Sequence, residues 1–168
     1  MSTFVSVGNA TQPFLRLLQA VAAIAPQLPQ PVFIQYGAAA GFAVPHCECR
    51  DFLAMEDFAE KVRQAELLIL HAGAGSVIHA IHAGKVPVVM PRRLALGEHV
   101  DDHQCEFAEE LAQLERIVSC GEPAQLATAC RVAMSRQQEM QNASPLQAPM
   151  ITLIADLLQQ HAGQVRGI

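Results

Sequence analysis

The sequence predicts one α/β domain built on a parallel sheet covered by helices on both faces. Three observations carry that prediction. Short apolar runs alternate with helix-spaced stretches along the chain, the pattern of repeated strand–helix–strand units. Two of the runs, Leu67 to Leu70 and Val86 to Met90, carry no polar side chain at all, as strands buried on both faces do. The segment between them, HAGAGSVIHAIHAGK, turns through Gly73 and Gly75 and then takes helical spacing. The whole reads as a βαβ unit with a right-handed crossover.

The elements follow in order. Phe4 to Val7 is a first strand, and Gly8 to Pro13 a turn in which Thr11 is a plausible N-cap. Phe14, Leu17, Leu18, Val21 and Ile24 share one helix face, and Pro26 and Pro29 end that helix. Val32 to Tyr36 is a second strand, 37–45 a small-residue loop, and Cys47 to Phe52 a short third strand. Met55 to Ala65 is a helix with Phe58 and Val62 inward. After the strand at Leu67, Ser76 opens a helix to Ala83, with Gly84 at its C-terminal end. Pro91 stops the Val86 strand, and Leu94 to Gly97 is a loop. Glu98 to Leu114 is a long helix, Ile117 to Ser119 a last strand, and Pro123 to Met134 and Leu146 to Gln160 are closing helices. In such sheets ligands sit beyond the carboxyl ends of the strands, where the strand order reverses.

Composition narrows the function. The chain has 168 residues, 51% hydrophobic and 16% charged, which fits a folded domain with a sizeable core. A net charge of −5 argues against a general nucleic-acid binder. No apolar run reaches the roughly 20 residues that span a bilayer, and MSTFVSVGN lacks the basic and apolar regions of a secretion signal. The five cysteines, without framework spacing, read as reduced thiols in a cytosol. Metal is not expected: His79/His82, His99/His103 and His46-Cys47-Glu48-Cys49 each supply only part of a ligand set.

The chemistry lies in the turn before the central helix. A helix N-terminus behind a Gly-bearing turn offers free N–H groups and a favourable dipole to a phosphate. Gly84-Lys85 lacks the spacing of a Walker A loop, and Ile78 stands where a dinucleotide fingerprint needs its third glycine. Arg92-Arg93 would suit only a 2′-phosphate, and on that support rests the reading as an NADP-dependent reductase. Otherwise the pair is expected to be solvated or to face a partner. A nucleotide-sugar diphosphate is the third reading.

HAGAGSVIHAIHAGKVPVVMPRR followed by GEHVDDHQ resembles the donor-binding half of GT-B glycosyltransferases. The family is that of the glycosyltransferase family 28 C-terminal domain, with the soluble catalytic subunit of N-acetylglucosaminyl-diphosphodolichol synthase and bacterial exopolysaccharide glycosyltransferase subunits among its members. The resemblance runs from FVSVGNATQPFLRLL to about Gln113. It implies a single Rossmann-like domain over residues 1–168, the C-terminal half of a GT-B enzyme. It implies hexosyl transfer, of N-acetylglucosamine or a related sugar, from a UDP-sugar to a lipid-linked acceptor in polysaccharide biosynthesis, with no cofactor or metal. Gly8, Asn9, Thr11, Gly73, Ala74, Gly75 and Ser76 would hold the diphosphate and nucleotide, with His79 at the ribose. Glu98, His99, Asp102, His103 and Gln104 would meet the sugar, Glu98 and His99 from the rim. The resemblance names no catalytic base. The chemistry agrees: sugars are read by groups that donate and accept, and leaving diphosphate charge is stabilised by preoriented N–H groups.

At His79 the family carries Glu, in the context S-x-x-E-A, and that departure favours a rival reading as a non-catalytic accessory subunit. A GT-B site lies between two Rossmann-like domains, and this length supplies one. The chain is therefore expected to work with a membrane-associated acceptor subunit, cytoplasmic and peripheral at the inner membrane. It should dock through the carboxyl-end loops and an apolar stripe of Leu153, Ile154, Leu157 and Leu158.

Overall fold

A computed structural model describes residues 2–142. The chain divides into two compact units, Met1–Gln137 and Gln138–Ile168; the sheet and the site belong to the first. The expected helix over Leu146 to Gln160 and its apolar stripe lie outside the described residues.

Six parallel strands run β1 Thr3–Ser6, β2 Val32–Gln35, β3 Cys47–Arg50, β4 Leu67–His71, β5 Val88–Met90 and β6 Val118–Ser119, in the sheet order β3-β2-β1-β4-β5-β6. Val5 sits in register with Ile34 on one side and Ile69 on the other, and Ile69 with Val88. The order reverses between β1 and β4, so the crevice of this doubly wound sheet opens at their carboxyl ends.

Alternation along the strands feeds two cores. Val5, Ile34, Ile69 and Val88 pack with Leu17, Leu18 and Val21 of α1 (Leu15–Ile24) and with Leu126, Ala129 and Ala133 of the closing helix. Phe4, Phe33, Leu68 and Leu70 face the other way, onto Phe58 and Val62 of α2 (Met55–Gln64) and Ala80 of α3 (Ala74–His82). Phe4 meets Phe58 edge-on, with ring centres 5.4 Å apart.

Five boundaries differ from expectation. Thr11 does not cap α1: Phe14 holds the N-cap position, and the Thr11 hydroxyl bonds only Gln12. α3 begins at Ala74, so Gly75 lies inside the helix, and the turn is made at Ala72 and Gly73. The helix expected from Glu98 is α4, His103–Gln113. Residues 98–102 are held in a loop because Glu98 accepts from the Arg16 side chain and the Arg93 N–H, and Asp102 from the Leu94 N–H. β5 is also shorter than expected, since Val86 donates its N–H to the buried Gln137 amide rather than to a strand. The closing helix α5, Leu126–Asn142, outruns its expected end at Met134.

Candidate functional site

A cleft of about 430 Å³ opens at the β1/β4 switch point. Its floor comes from strand ends. Ser6 and Gln35 close β1 and β2 with polar, buried side chains. Ser6 Oγ donates to Gln35 Oε1 at 2.7 Å and accepts the Gly8 N–H at 3.2 Å, and Gln35 Nε2 donates to Asn9 Oδ1 at 3.1 Å. This chain of bonds fixes the β1–α1 turn against the neighbouring strand. Gly8 there has φ +75°, a conformation that glycine adopts without a steric cost.

His71, the last residue of β4, lies beneath both glycine turns. A Cβ on Gly8 would come within 2.4 Å of its ring, and one on Gly73 within 2.1 Å of its Nε2. The ring is buried, lines the cleft, and its Nδ1 has no hydrogen-bond partner among the described residues. Burial, reinforced by Arg92 and His99, pushes its pKa down to about 4, so the imidazole is neutral near pH 7.

α3 starts at the cleft wall. Gly73 is its N-cap residue and offers no side-chain cap, and the first turn carries no acid. The early N–H groups of the helix therefore have no side-chain acceptor of their own, and the positive end of its dipole points at the cleft. Leu53, Met55 and Phe58 make an apolar wall opposite.

Of the residues expected at the diphosphate, Gly8, Asn9, Gly73, Gly75 and Ser76 line this cleft. Ala74 stands exposed at the helix start, and Thr11 is exposed on the β1–α1 turn. His79 is half-buried one turn further on, its ring 6.1 Å from that of Phe58. The residues expected at the sugar belong to the loop between β5 and α4 and to the start of α4. His99 and His103 turn their Nδ1 atoms to Asp101, and Asp102 Oδ1 accepts the Leu94 N–H. Gln104 is buried and accepts the Arg92 N–H at 3.2 Å.

Glu98 departs from its expected place on the rim. It is buried, its two oxygens clasp Arg16 at 2.9 and 2.8 Å, and it accepts the Arg93 N–H. Arg16 also donates to Pro91 O and Gly121 O. Its hydrogen bonds to Glu98 raise its pKa against the opposing effect of burial. The Arg92-Arg93 pair is corrected as well. Arg92 is fully buried, stacks 4.7 Å over Phe14, and donates to Val7 O, Gln12 O and Glu98 O. Burial lowers its pKa to about 10, which leaves it charged at pH 7. Arg93 pairs with Glu122 and donates to Gly121 O. Both guanidiniums are engaged within the fold, which removes the one feature that suggested a 2′-phosphate.

Ser6, Gln35, His71 and the Leu53–Met55–Phe58 wall escaped the sequence reading. Its one usable signal was a polar residue closing an apolar run, as in FVS, VFIQ and LLILH. Among the described residues no three His, Cys, Asp or Glu side chains gather as a metal set, and all five cysteines are free. No helix among them is long and apolar enough to cross a membrane.

Comparison with known proteins matches residues 2–158 to the glycosyltransferase family 28 C-terminal domain. The UDP-N-acetylglucosamine transferase subunit ALG13 of Yarrowia lipolytica is 39% identical over 40% of this chain and 32% of its own length. A second relative, from Bordetella petrii, is the UDP-N-acetylglucosamine--N-acetylmuramyl-(pentapeptide) pyrophosphoryl-undecaprenol N-acetylglucosamine transferase. It is 34% identical over 62% of this chain and 30% of its own. The chain thus spans about a third of the length of the curated relatives it matches. The crystal structure of the glycotransferase of kitacinnamycin shares the fold, with a TM-score of 0.61 at 17% identity over 95% of this chain and 42% of that one.

Proposed function

The chain belongs to the glycosyltransferase family 28 C-terminal domain family, and from that membership we propose that residues 1–168 act as the donor-binding part of a glycosyltransferase. The sugar is N-acetylglucosamine or a related hexose, carried by UDP and passed to a lipid-linked acceptor in polysaccharide or glycan assembly. The names of the two relatives supply the donor, and that of the bacterial one supplies a lipid-linked acceptor.

The observation that carries this reading is the uncapped start of α3 at the switch-point cleft, between Gly8 and Gly73. A diphosphate placed there meets backbone N–H groups, a favourable dipole and no intruding side chain. As the sugar leaves, negative charge grows on that diphosphate, and donors already oriented stabilise it without reorganising. His71 lies below as a neutral ring and adds hydrogen-bonding capacity without charge. Loop 98–104 reaches the sugar, while Glu98 anchors it through Arg16.

The acceptor side comes from a partner. In the first unit the large exposed apolar side chains are Leu15, Phe52, Met55, Leu94, Leu96, Val100 and Val132. All but Val132 follow strand carboxyl ends, around the cleft. That distribution favours a second domain closing over this edge, at the membrane where lipid-linked acceptors reside, with this chain cytoplasmic and peripheral. Calorimetric titration tests the donor site. UDP and UDP-N-acetylglucosamine should bind, and ADP and GDP more weakly. A folded protein that binds no UDP sinks the proposal.

A further inference from the structure

Three nitrogens converge on one oxygen in loop 98–104. Asp101 Oδ1 lies 3.1 Å from His99 Nδ1, 3.2 Å from His103 Nδ1 and 3.2 Å from the His103 backbone nitrogen. The Asp101 carboxyl sits below its ordinary pKa range: burial pushes it up, but the His103 backbone N–H and the two rings outweigh that. An ionised carboxylate only accepts. Each imidazole nitrogen turned toward it must therefore carry a hydrogen. In a neutral ring the other nitrogen, Nε2, is then left with a lone pair.

We propose that Asp101 is a positioning residue that locks His99 and His103 as Nδ1–H tautomers, so that the loop presents two Nε2 acceptors to hydroxyl groups of the donor sugar. The neighbouring Asp102 instead accepts the Leu94 N–H. The two rings differ in access: the side chain of His103 is 62% exposed and that of His99 26%. His99 is also near enough to the cleft to depress the titration of His71, on which Arg92 acts too. An unrestrained imidazole in water favours the hydrogen on Nε2 and would point a donor outward. Asp101 thus reverses the hydrogen-bonding sense of this edge, toward ligands rich in O–H donors. The sugar-facing part of the proposal rests on the donor-site reading; the tautomer assignment does not.

Long-range ¹H–¹⁵N correlation spectra of the full chain in mildly alkaline buffer report the tautomers directly. Both rings should be Nδ1–H in the wild type and in Asp101→Asn, whose amide oxygen still accepts, and should shift toward Nε2–H in Asp101→Ala. Either ring found as Nε2–H in the wild type overturns the assignment, even if Asp101→Ala, which also loses the bond to the His103 N–H, fails to fold. On the ligand side, Asp101→Ala should weaken UDP-sugar binding about tenfold, the size of one lost hydrogen bond. UDP binding should hold, and Asp101→Asn should rescue. Equal loss for UDP and UDP-sugar overturns the positioning role. A wild type that binds no UDP overturns the donor reading and the sugar-facing part with it, while the spectra still decide the tautomers.

Discussion

Gly73 and Gly75 stand one residue apart and are glycine for different reasons. A Cβ on Gly73 would strike His71 Nε2 at 2.1 Å, and a Cβ on Gly8 would meet the same ring at 2.4 Å, so both turns leave the imidazole room only for glycine. A Cβ on Gly75 meets nothing within 4 Å. Gly73→Ala should therefore destabilise by about 1–3 kcal/mol, as overpacking does. Gly75→Ala should gain roughly 0.5–1 kcal/mol from helix propensity. Gly75→Val should fold yet lose UDP affinity, since its branches enter the cleft. Urea unfolding and UDP titration of the three variants check this, and equal stability of Gly73→Ala and Gly75→Ala would contradict it. His71 makes a second prediction. Its folded pKa of about 4 lies below the ordinary 6.5. Between those values the unfolded chain binds the extra proton. The stability that the neutral ring contributes is thus complete above pH 6.5 and is lost as pH falls toward 4, in total about 3 kcal/mol. Unfolding curves measured across that range should be less steep in pH for His71→Asn than for the wild type.

At the scale of elements, the carboxyl edge is held by buried cations rather than by regular structure. Arg92 ties the end of β5 to Val7 and Gln12 of the β1–α1 turn and to Glu98 of the sugar-side loop. Removing it strands three carbonyl oxygens and the π face of Phe14 together. Arg92→Met should cost on the order of 3 kcal/mol. Arg92→Lys should recover little, because a point charge cannot span three acceptors in one plane. Hydrogen exchange in residues 8–12 and 98–102 should quicken before the sheet opens. Unchanged protection in both segments of a folded variant would show that Arg92 does not couple them. The sequence pointed to helix from Glu98 onward, and locally nothing forbids it. The loop exists because Arg16 and the Arg93 N–H claim the Glu98 carboxylate, partners that lie far away or across a turn.

For the whole molecule, the concentration of exposed apolar side chains at one edge sets the expectation. Leu94, Leu96 and Val100 are 50%, 54% and 71% exposed on the loop after β5. Leu94→Asp with Leu96→Asp should leave stability within about 0.5 kcal/mol, as surface changes do, and should abolish assembly with the acceptor-side partner. Co-expression with a candidate membrane-associated subunit, followed by pull-down, reads this out. An undiminished complex would move the interface elsewhere.

The sequence by itself determined the parallel sheet, the βαβ unit at Leu67 to Met90 and its Gly-bearing turn, because these rest on local signals. Burial on both faces demands unbroken apolar strands, and a close backbone approach demands glycine. Gly8, Gly73 and Gly75 were legible for that reason, Asn9 and Ser76 through the family resemblance, and the five meet in one cleft. What tertiary structure decided are the groups whose role depends on residues distant in the chain. Arg92 looked like a surface charge until Val7, Gln12 and Phe14 surrounded it. Glu98 looked like a rim carboxylate until Arg16 took it. His71 read as the first residue of a turn, and only the approach of Gly8 from β1, some sixty residues earlier, buries it as the neutral floor of the site. A charge or a ring takes its meaning from the dielectric and the partners around it, and those are fixed only when the strands come together.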